Sequence, residues 1–246
     1  MIINQPESED LPLLQRLWQQ AFGDPQEFIA AFFREGYSAD RCRVLYEGQF
    51  PAAVVYWFDC LWEGQKCAYL YGIATAPEHR GKGLCRSLLE QLHQELINLG
   101  YAGAVLVPAE KSLFSLYGKL GYSPFCPMEK QTVLPGKAIP VKQVPADPYD
   151  FAPAGSVIHT KAALDFLASY CALYESEGFR FWGAVEDAAL YIQEFVGNPA
   201  QLSGICAGLD AEKAVCRIYG SGPDYAMYLP LGNKNFRPRY FGIPLD

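Results

Sequence analysis

The chemistry-bearing part of this chain is the run Ile73-Ala74-Thr75-Ala76-Pro77-Glu78-His79-Arg80-Gly81-Lys82-Gly83-Leu84-Cys85-Arg86, an apolar strand passing through a glycine-rich basic turn into a helix. Glycines let a backbone approach a ligand closely, and the first N–H groups of a new helix lack internal partners. The helix dipole adds positive potential at that end, so the segment is an anion cradle whose natural guest is a phosphate or pyrophosphate. Two familiar phosphate loops are excluded by spacing. A Walker-type loop needs Gly-x-x-x-x-Gly-Lys-Ser/Thr, whereas only Gly81-Lys82-Gly83 is present, and the dinucleotide fingerprint fails because Arg86 stands where its third glycine belongs.

The position of Arg80, Gly83 and Cys85 after such a strand resembles the coenzyme A loop of the GNAT superfamily of N-acetyltransferases, Gln/Arg-x-x-Gly-x-Gly/Ala. The longer string His79-Arg80-x-x-Gly83-Leu84-x-Arg86 is similar to its enhanced-intracellular-survival branch in particular. A second element follows in order, Val105-Leu106-Val107-Pro108, a short helix with Leu113, Leu116 and Tyr117, then Gly121-Tyr122-Ser123-Pro124, and it resembles the superfamily's strand–helix–Gly-aromatic motif. The resemblance spans residues 1 to about 134 and implies acetyl-CoA as co-substrate, held by the backbone around Ile73, Ala74 and Thr75 and by Arg80, Gly81, Lys82, Gly83, Leu84, Cys85 and Arg86. It also implies Tyr117 as the acid that protonates the departing thiolate. In the enhanced-intracellular-survival proteins the terminal carboxylate serves as base, which here points to Asp246 behind the apolar lead-in Phe241 to Leu245; a tail docked only for stability is the alternative. Glu110, Tyr69, Tyr71 and Asp59 are further polar residues near the presumed cleft. The implied reaction is acetyl transfer to a primary amine, small molecule or peptide, by direct attack in a ternary complex. A coenzyme A sensor without transfer chemistry, and a transferase using another acyl-CoA, are the rival readings.

Around these residues the sequence supplies positioning elements. Apolar residues at 11, 14, 17, 18, 21 and 22 have a helical period, and Asp24, Pro25 and Glu27 read as the capping box of a second helix. Arg43 to Tyr46, Ala52 to Trp62 and Cys67 to Thr75 read as an antiparallel meander broken at Glu47-Gly48 and Glu63-Gly64. Leu84, Leu88, Leu89, Leu92, Leu96 and Leu99 form one stripe of a helix stopped by Gly100, so a right-handed βαβ crossover sets the strand at 67–75 parallel to one at 104–107. In the superfamily those two strands splay. The expected fold is therefore α/β, a GNAT-like mixed and mostly antiparallel sheet with flanking helices and splayed parallel central strands, in residues 1–134.

Five prolines between Leu134 and Pro153 predict a connector over 135–153, followed by a smaller α+β unit over 154–246. Helices are expected at about 161–175 and 184–196, with strands at 202–208, 214–219 and 225–229. No second Arg-Gly-x-Gly loop occurs there, so a degenerate acetyltransferase repeat would have lost its cofactor site. In that unit Tyr170, Tyr174, Phe179, Phe181, Trp182 and Tyr191, with Glu175, Glu177, Glu186 and Glu194, could wall an acceptor pocket, though core packing explains the same residues.

With 246 residues, half of them hydrophobic, the chain can bury a sizeable core. Its formal charge of −7 disfavours a nucleic-acid surface and suits a cationic or neutral substrate. Eight scattered cysteines and three separated histidines have no metal-ligand spacing, and the cysteines read as small apolar core residues of a reducing, cytoplasmic protein. No signal-peptide pattern opens the sequence and no apolar run is long enough for a membrane span.

Overall fold

The computed structural model describes residues 2–146, 152–232 and 234–245. In chain order the elements are β1 (Ile2–Asn4), α1 (Leu11–Phe22), α2 (Gln26–Ala31), β2 (Cys42–Glu47), β3 (Phe50–Trp62), β4 (Gln65–Thr75), α3 (Leu84–Asn98), β5 (Gly103–Leu106), α4 (Lys111–Gly118) and β6 (Ser123–Val133). The rest are β7 (Lys142–Val144), β8 (Val157–His159), α5 (Lys161–Leu167), β9 (Ala172–Ser176), β10 (Phe179–Glu186), β11 (Ala189–Gly197), α6 (Leu202–Gly208) and β12 (Lys213–Pro230). The twelve strands among the described residues belong to one sheet of path order β1-β2-β3-β4-β5-β12-β11-β10-β9-β7, with β6 paired to β12 and β8 to β3.

The first half follows its sequence pattern. β2, β3 and β4 form the meander, the last hairpin turning on Glu63 and Gly64, both at positive φ. α3 buries Leu84, Leu88, Leu89, Leu92 and Leu96 on the sheet, while Leu99, expected on that stripe, lies past the last turn and is exposed. One turn of the first half differs from expectation: Pro25, not Asp24, is the N-cap of α2, and the Asp24 carboxylate accepts from the Trp18 indole N–H at 2.7 Å. A buried indole donor is the stronger claimant, since an unpaired one would be penalised inside the core.

The second half departs further. The helix expected at 161–175 ends at Leu167 and gives way to β9. The segment 184–196 is a β-hairpin rather than a helix, because Asp187 and Ala188 both adopt positive φ and reverse the chain between β10 and β11. Its cross-strand pairs then bury Leu190 and Ile192 and expose Tyr191. Residues 202–208 are helical, with Leu202, Ile205 and Cys206 at helical spacing on the core side, following a turn capped by Asn198. The strands expected at 214–219 and 225–229 are one long strand, β12, irregular between Tyr219 and Asp224.

The proline-rich stretch does not behave as a free connector where it is described. Gly136 and Ile139 donate to the carbonyls of Ser203 and Gly204, and β7 pairs with β9. Proline bars helix interiors but tolerates extended edge segments such as this. Sheet and core both cross the 135–153 segment: β12 pairs with β11 through its first residues and with β5 through Met227 to Pro230, and β8 extends the β3 edge. The chain's last described segment then threads back into the first half, where Phe236, Phe241, Ile243 and Leu245 are fully buried.

That threading leaves little room. An added Cβ on Gly103 of β5 would stand 2.0 Å from the Phe236 ring. Gly103→Ala should therefore destabilise the fold by ~1–3 kcal/mol through overpacking, and pairing it with Phe236→Leu should restore part of the loss. Urea denaturation measures both; an unchanged midpoint in the single variant would show that the ring is not pinned.

Burial also makes stability pH-dependent. His93 and His159 are each pushed down to about 4 from the ordinary 6.5, because burial disfavours the charged ring. The unfolded chain takes up protons near pH 6.5 while the folded chain refuses them until about 4. The contribution is therefore complete above 6.5 and declines as pH falls through that window. Between pH 7 and 5 the loss should be roughly 2 kcal/mol per ring, and urea titrations of a His93→Gln/His159→Gln double variant should show a flatter profile.

Candidate active site

β4 and β5 pair in parallel only at Ala68–Ala104 and Tyr69–Val105. Beyond that point β4 runs on to Thr75 while β5 ends at Leu106, so the strands part and the β5-facing side of this stretch of β4 has no strand partner among the described residues. β4 carries a bulge in the same stretch: three steps from Tyr71 to Ala74 oppose two from Tyr56 to Val54. Gly72 sits in the bulge with φ +57, and an added Cβ there would meet Trp18 and Tyr56 at 2.9 Å. Only glycine fits, and the bulge turns local backbone toward the gap.

A cavity of about 780 Å³ occupies the gap. Gly72 and Ile73 line it from β4, Val107 and Ala109 from the segment after β5, and Leu113 and Tyr117 from α4. The far wall comes from the α1–α2 corner with Phe22, Asp24, Glu27 and Phe28, and from the second half with Tyr170, Ala184, Glu186, Tyr191 and Gln193. Asp24, Glu27 and Glu186 are its charged lining residues; no Lys, Arg or His lines it among the described residues. A wall with this imbalance attracts a cation.

Following β4 outward from the cavity leads to the basic turn. Arg80 Nε donates to the Thr75 carbonyl at 3.1 Å and folds the loop back on the strand end. Gly81 and Gly83 take φ of +77 and +79, with nothing within 4 Å of an added Cβ, so the site above each is open. Gly83 is the N-cap of α3, and Ser87 N–H is the first donor to its carbonyl at 3.1 Å, which leaves the N–H groups of Leu84, Cys85 and Arg86 facing outward. Arg80, Lys82 and Arg86 are exposed around them. His79 lies against Glu47 at 2.6 Å and joins the loop to the β2–β3 turn, a structural role. Cys85 is partly buried against the α3 core, and burial pushes its thiol up to about 11, so it is a packing residue with an available backbone N–H.

Tyr117 lines the cavity with its ring against Tyr122, centroids 5.9 Å apart. Burial raises its pKa above the ordinary phenol value, which keeps the proton in place at neutral pH. Its hydroxyl has no protein hydrogen-bond partner among the described residues and is available to a ligand.

The four further polar residues divide. Tyr69 and Tyr71 line the cavity, but their hydroxyls are engaged with the Pro244 and Leu245 carbonyls. Asp59 is off the cavity, held by Tyr101, Lys66 and Arg41. Glu110 is the N-cap residue of α4 and accepts from Ser112 at 2.6 Å. Asp246 lies outside the described residues; Leu245 before it is buried, and Pro244 lines the cavity.

Of the aromatic and acidic residues weighed in the second half, Tyr170, Tyr191 and Glu186 reach the cavity. Phe179, Phe181 and Trp182 are core, Tyr174 stacks on Phe181, Glu175 pairs with Arg180 and Glu194 is buried against Tyr240. Asp24 and Glu27 are legible only as helix-start residues, and nothing in the sequence places them in one cavity lining with Glu186.

Comparison with known proteins agrees with this architecture. The family description "Acetyltransferase (GNAT) domain" matches residues 3–125. The N-acetyltransferase Eis of Mycobacterium tuberculosis is 36% identical over 61 residues, 25% of this chain and 14% of that protein's length, so the matched stretch spans about a seventh of the relative. Among solved structures, a GCN5-related N-acetyltransferase from Anabaena variabilis superposes with a TM-score of 0.70 at 16% identity, covering 94% of this chain and 73% of that one. A putative acetyltransferase from Pyrococcus horikoshii gives 0.65 at 13% identity, covering 96% and 91%, and Eis1 from Mycobacterium abscessus gives 0.61 at 12%, covering 94% and 74%. These structural likenesses concern the fold alone. With half its length matched by the family description, and with strand splay, basic turn and aromatic motif in the order that family requires, the chain belongs to the GNAT acetyltransferase family.

Proposed function

We propose that this protein transfers an acetyl group from acetyl-CoA to a primary amine within a ternary complex. The observation that carries the reading is the continuity of one path, from the open helix N-terminus at Gly83, down the unpaired side of β4, to a cavity holding Tyr117 and an acidic far wall. The pyrophosphate would bind the outward N–H groups of Leu84 to Arg86, with Arg80 and Lys82 beside it. The pantetheine arm would bond to the backbone of Ile73 to Thr75 where β5 no longer does. Both fit what is present, since open space stands over Gly81 and Gly83 and the β5-facing side of β4 beyond Tyr69 has no strand partner among the described residues.

The amine nitrogen attacks the thioester carbonyl carbon, the carbon–sulfur bond breaks, and the thiolate takes the Tyr117 proton. The amine must first lose a proton. Tyr69 and Tyr71 are committed to tail carbonyls and Asp59 to its ion pairs, and the resemblance to the enhanced-intracellular-survival branch supports a carboxylate at residue 246 as the base. Asp24, Glu27 and Glu186 favour an acceptor that carries positive charge besides the reacting nitrogen. The presence of the Tyr117 hydroxyl in the cavity speaks against coenzyme A sensing without chemistry, and a longer acyl donor is distinguished by assaying thiol release with acetyl- and longer acyl-CoAs.

Gly83→Val forces a β-branched residue into a left-handed conformation at the cradle. It should abolish acetyl-CoA binding by calorimetry while the fold survives; unchanged affinity would remove the cradle assignment. Tyr117→Phe should bind acetyl-CoA like the parent and turn over on the order of a hundredfold more slowly, as measured by thiol release across an amine panel. Equal turnover would exclude Tyr117 as the proton donor.

A further inference from the structure

Three successive carbonyls of the carboxyl-terminal segment each receive a donor from a buried side chain. His159 Nε2 bonds the Ile243 carbonyl at 2.7 Å, the Tyr69 hydroxyl donates to Pro244, and the Tyr71 hydroxyl donates to Leu245 at 2.6 Å. Apolar packing of Phe241, Ile243 and Leu245 would suffice to bury this segment. Packing alone, however, does not fix register, whereas directional donors on consecutive carbonyls do. Pro244 has no N–H and Leu245 takes φ +60, so the segment is poorly suited to a sheet ladder and depends on side chains for its polar partners.

The donors are themselves held. Tyr69 and Tyr71 stand two residues apart on β4 and so share one face of the strand. The Tyr71 ring packs on Trp18 and Phe32, and the Tyr69 ring on Phe241 at 4.7 Å. His159 sits on β8 opposite Cys60, whose Sγ lies 3.6 Å from Nδ1. With the carbonyl requiring a proton on Nε2, the neutral ring leaves Nδ1 to accept from the Cys60 thiol, which fixes the tautomer. Two of the donors, Tyr69 and Tyr71, line the cavity beside Pro244.

We propose that Tyr69, Tyr71 and His159 are positioning residues: a three-point clamp that sets the register of the tail through Leu245. The role in turnover rests on the reading of residue 246 as base, and the clamp itself does not.

Hydrogen–deuterium exchange of the full chain, read by mass spectrometry, tests the clamp. A Tyr69→Phe/Tyr71→Phe variant should raise amide exchange in the peptide over residues 236–246 at least tenfold, with α3 and β10–β11 peptides unchanged. His159→Gln, which keeps a donor near Nε2, should retain protection that His159→Leu loses. Unaltered tail exchange, or an equal rise in every peptide, would overturn the clamp; should the double variant fail to fold, Tyr71→Phe alone decides by the same criterion. Thiol release with acetyl-CoA and spermidine or tyramine then separates the two readings. The clamp variants should lower kcat with the KM for acetyl-CoA unchanged, and a short extension after Asp246 should do the same. Full turnover in the extended protein would remove the base and leave the clamp to the exchange data. Turnover lost in the extended protein but kept in a loosened clamp variant would overturn the positioning role.

Discussion

Parallel strands are ordinarily held by evenly spaced hydrogen bonds along their shared length, and here that ladder stops after two residue pairs, at Tyr69 and Val105. The rest of β4 must find other partners for the β5-facing side, and the gap beside it must be kept from collapsing. The Gly72 bulge turns the backbone, Trp18 and Phe32 pack behind Tyr71, and α3 and α4 cover the sheet beyond. The cavity and the unladdered stretch of β4 beside it both follow from that one interrupted ladder.

An interrupted sheet would be weak on its own, and the chain compensates by crossing over. β12 comes from the second half to pair with β5 through Met227 to Pro230, closing the side of β5 away from the gap. The segment after it then buries Phe236 against Trp62 and Phe241 against Tyr69 and His159. Close contacts mark how specific this is, since Gly103 leaves room only for the Phe236 ring and Gly242 only for the buried Glu194 carboxylate bonded by Tyr240. The second half is thereby part of the core that holds the cavity open.

Where physics acts locally, the sequence is legible. The meander, the α3 stripe and the Gly-Lys-Gly turn are set by strand and helix periods and by glycines that must take positive φ, and the structure has them within a few residues of expectation. Legibility fails where short apolar runs fit either period. Ala184 to Val196 reads as a helix because its turn is made by Asp187 and Ala188, which carry no glycine signal. Leu202 to Gly208 reads as a strand because a seven-residue apolar run is ambiguous, although Asn198-Pro199-Ala200-Gln201 before it forms a capping box that announces a helix start. In the candidate site the cradle and Tyr117 stand at motif spacings, but the acidic wall does not. Asp24, Glu27 and Glu186 come to line one cavity only through tertiary packing, and no local pattern records it.

This separation divides the labour of the molecule. The end proposed to hold the cofactor is made of backbone, and backbone geometry at Gly72, Gly81 and Gly83 tolerates few substitutions. The end proposed to take the acceptor is made of side chains on the α1–α2 corner and the tip of the β10–β11 hairpin, where Glu27, Glu186 and Tyr191 are exposed. Changing their charge or size alters what the cavity attracts at little cost in stability, since exposed side chains away from core packing contribute little to it. On the proposed reading, acceptor preference can therefore change without disturbing the backbone cradle, while β12 and the tail tie the two halves of the sheet together.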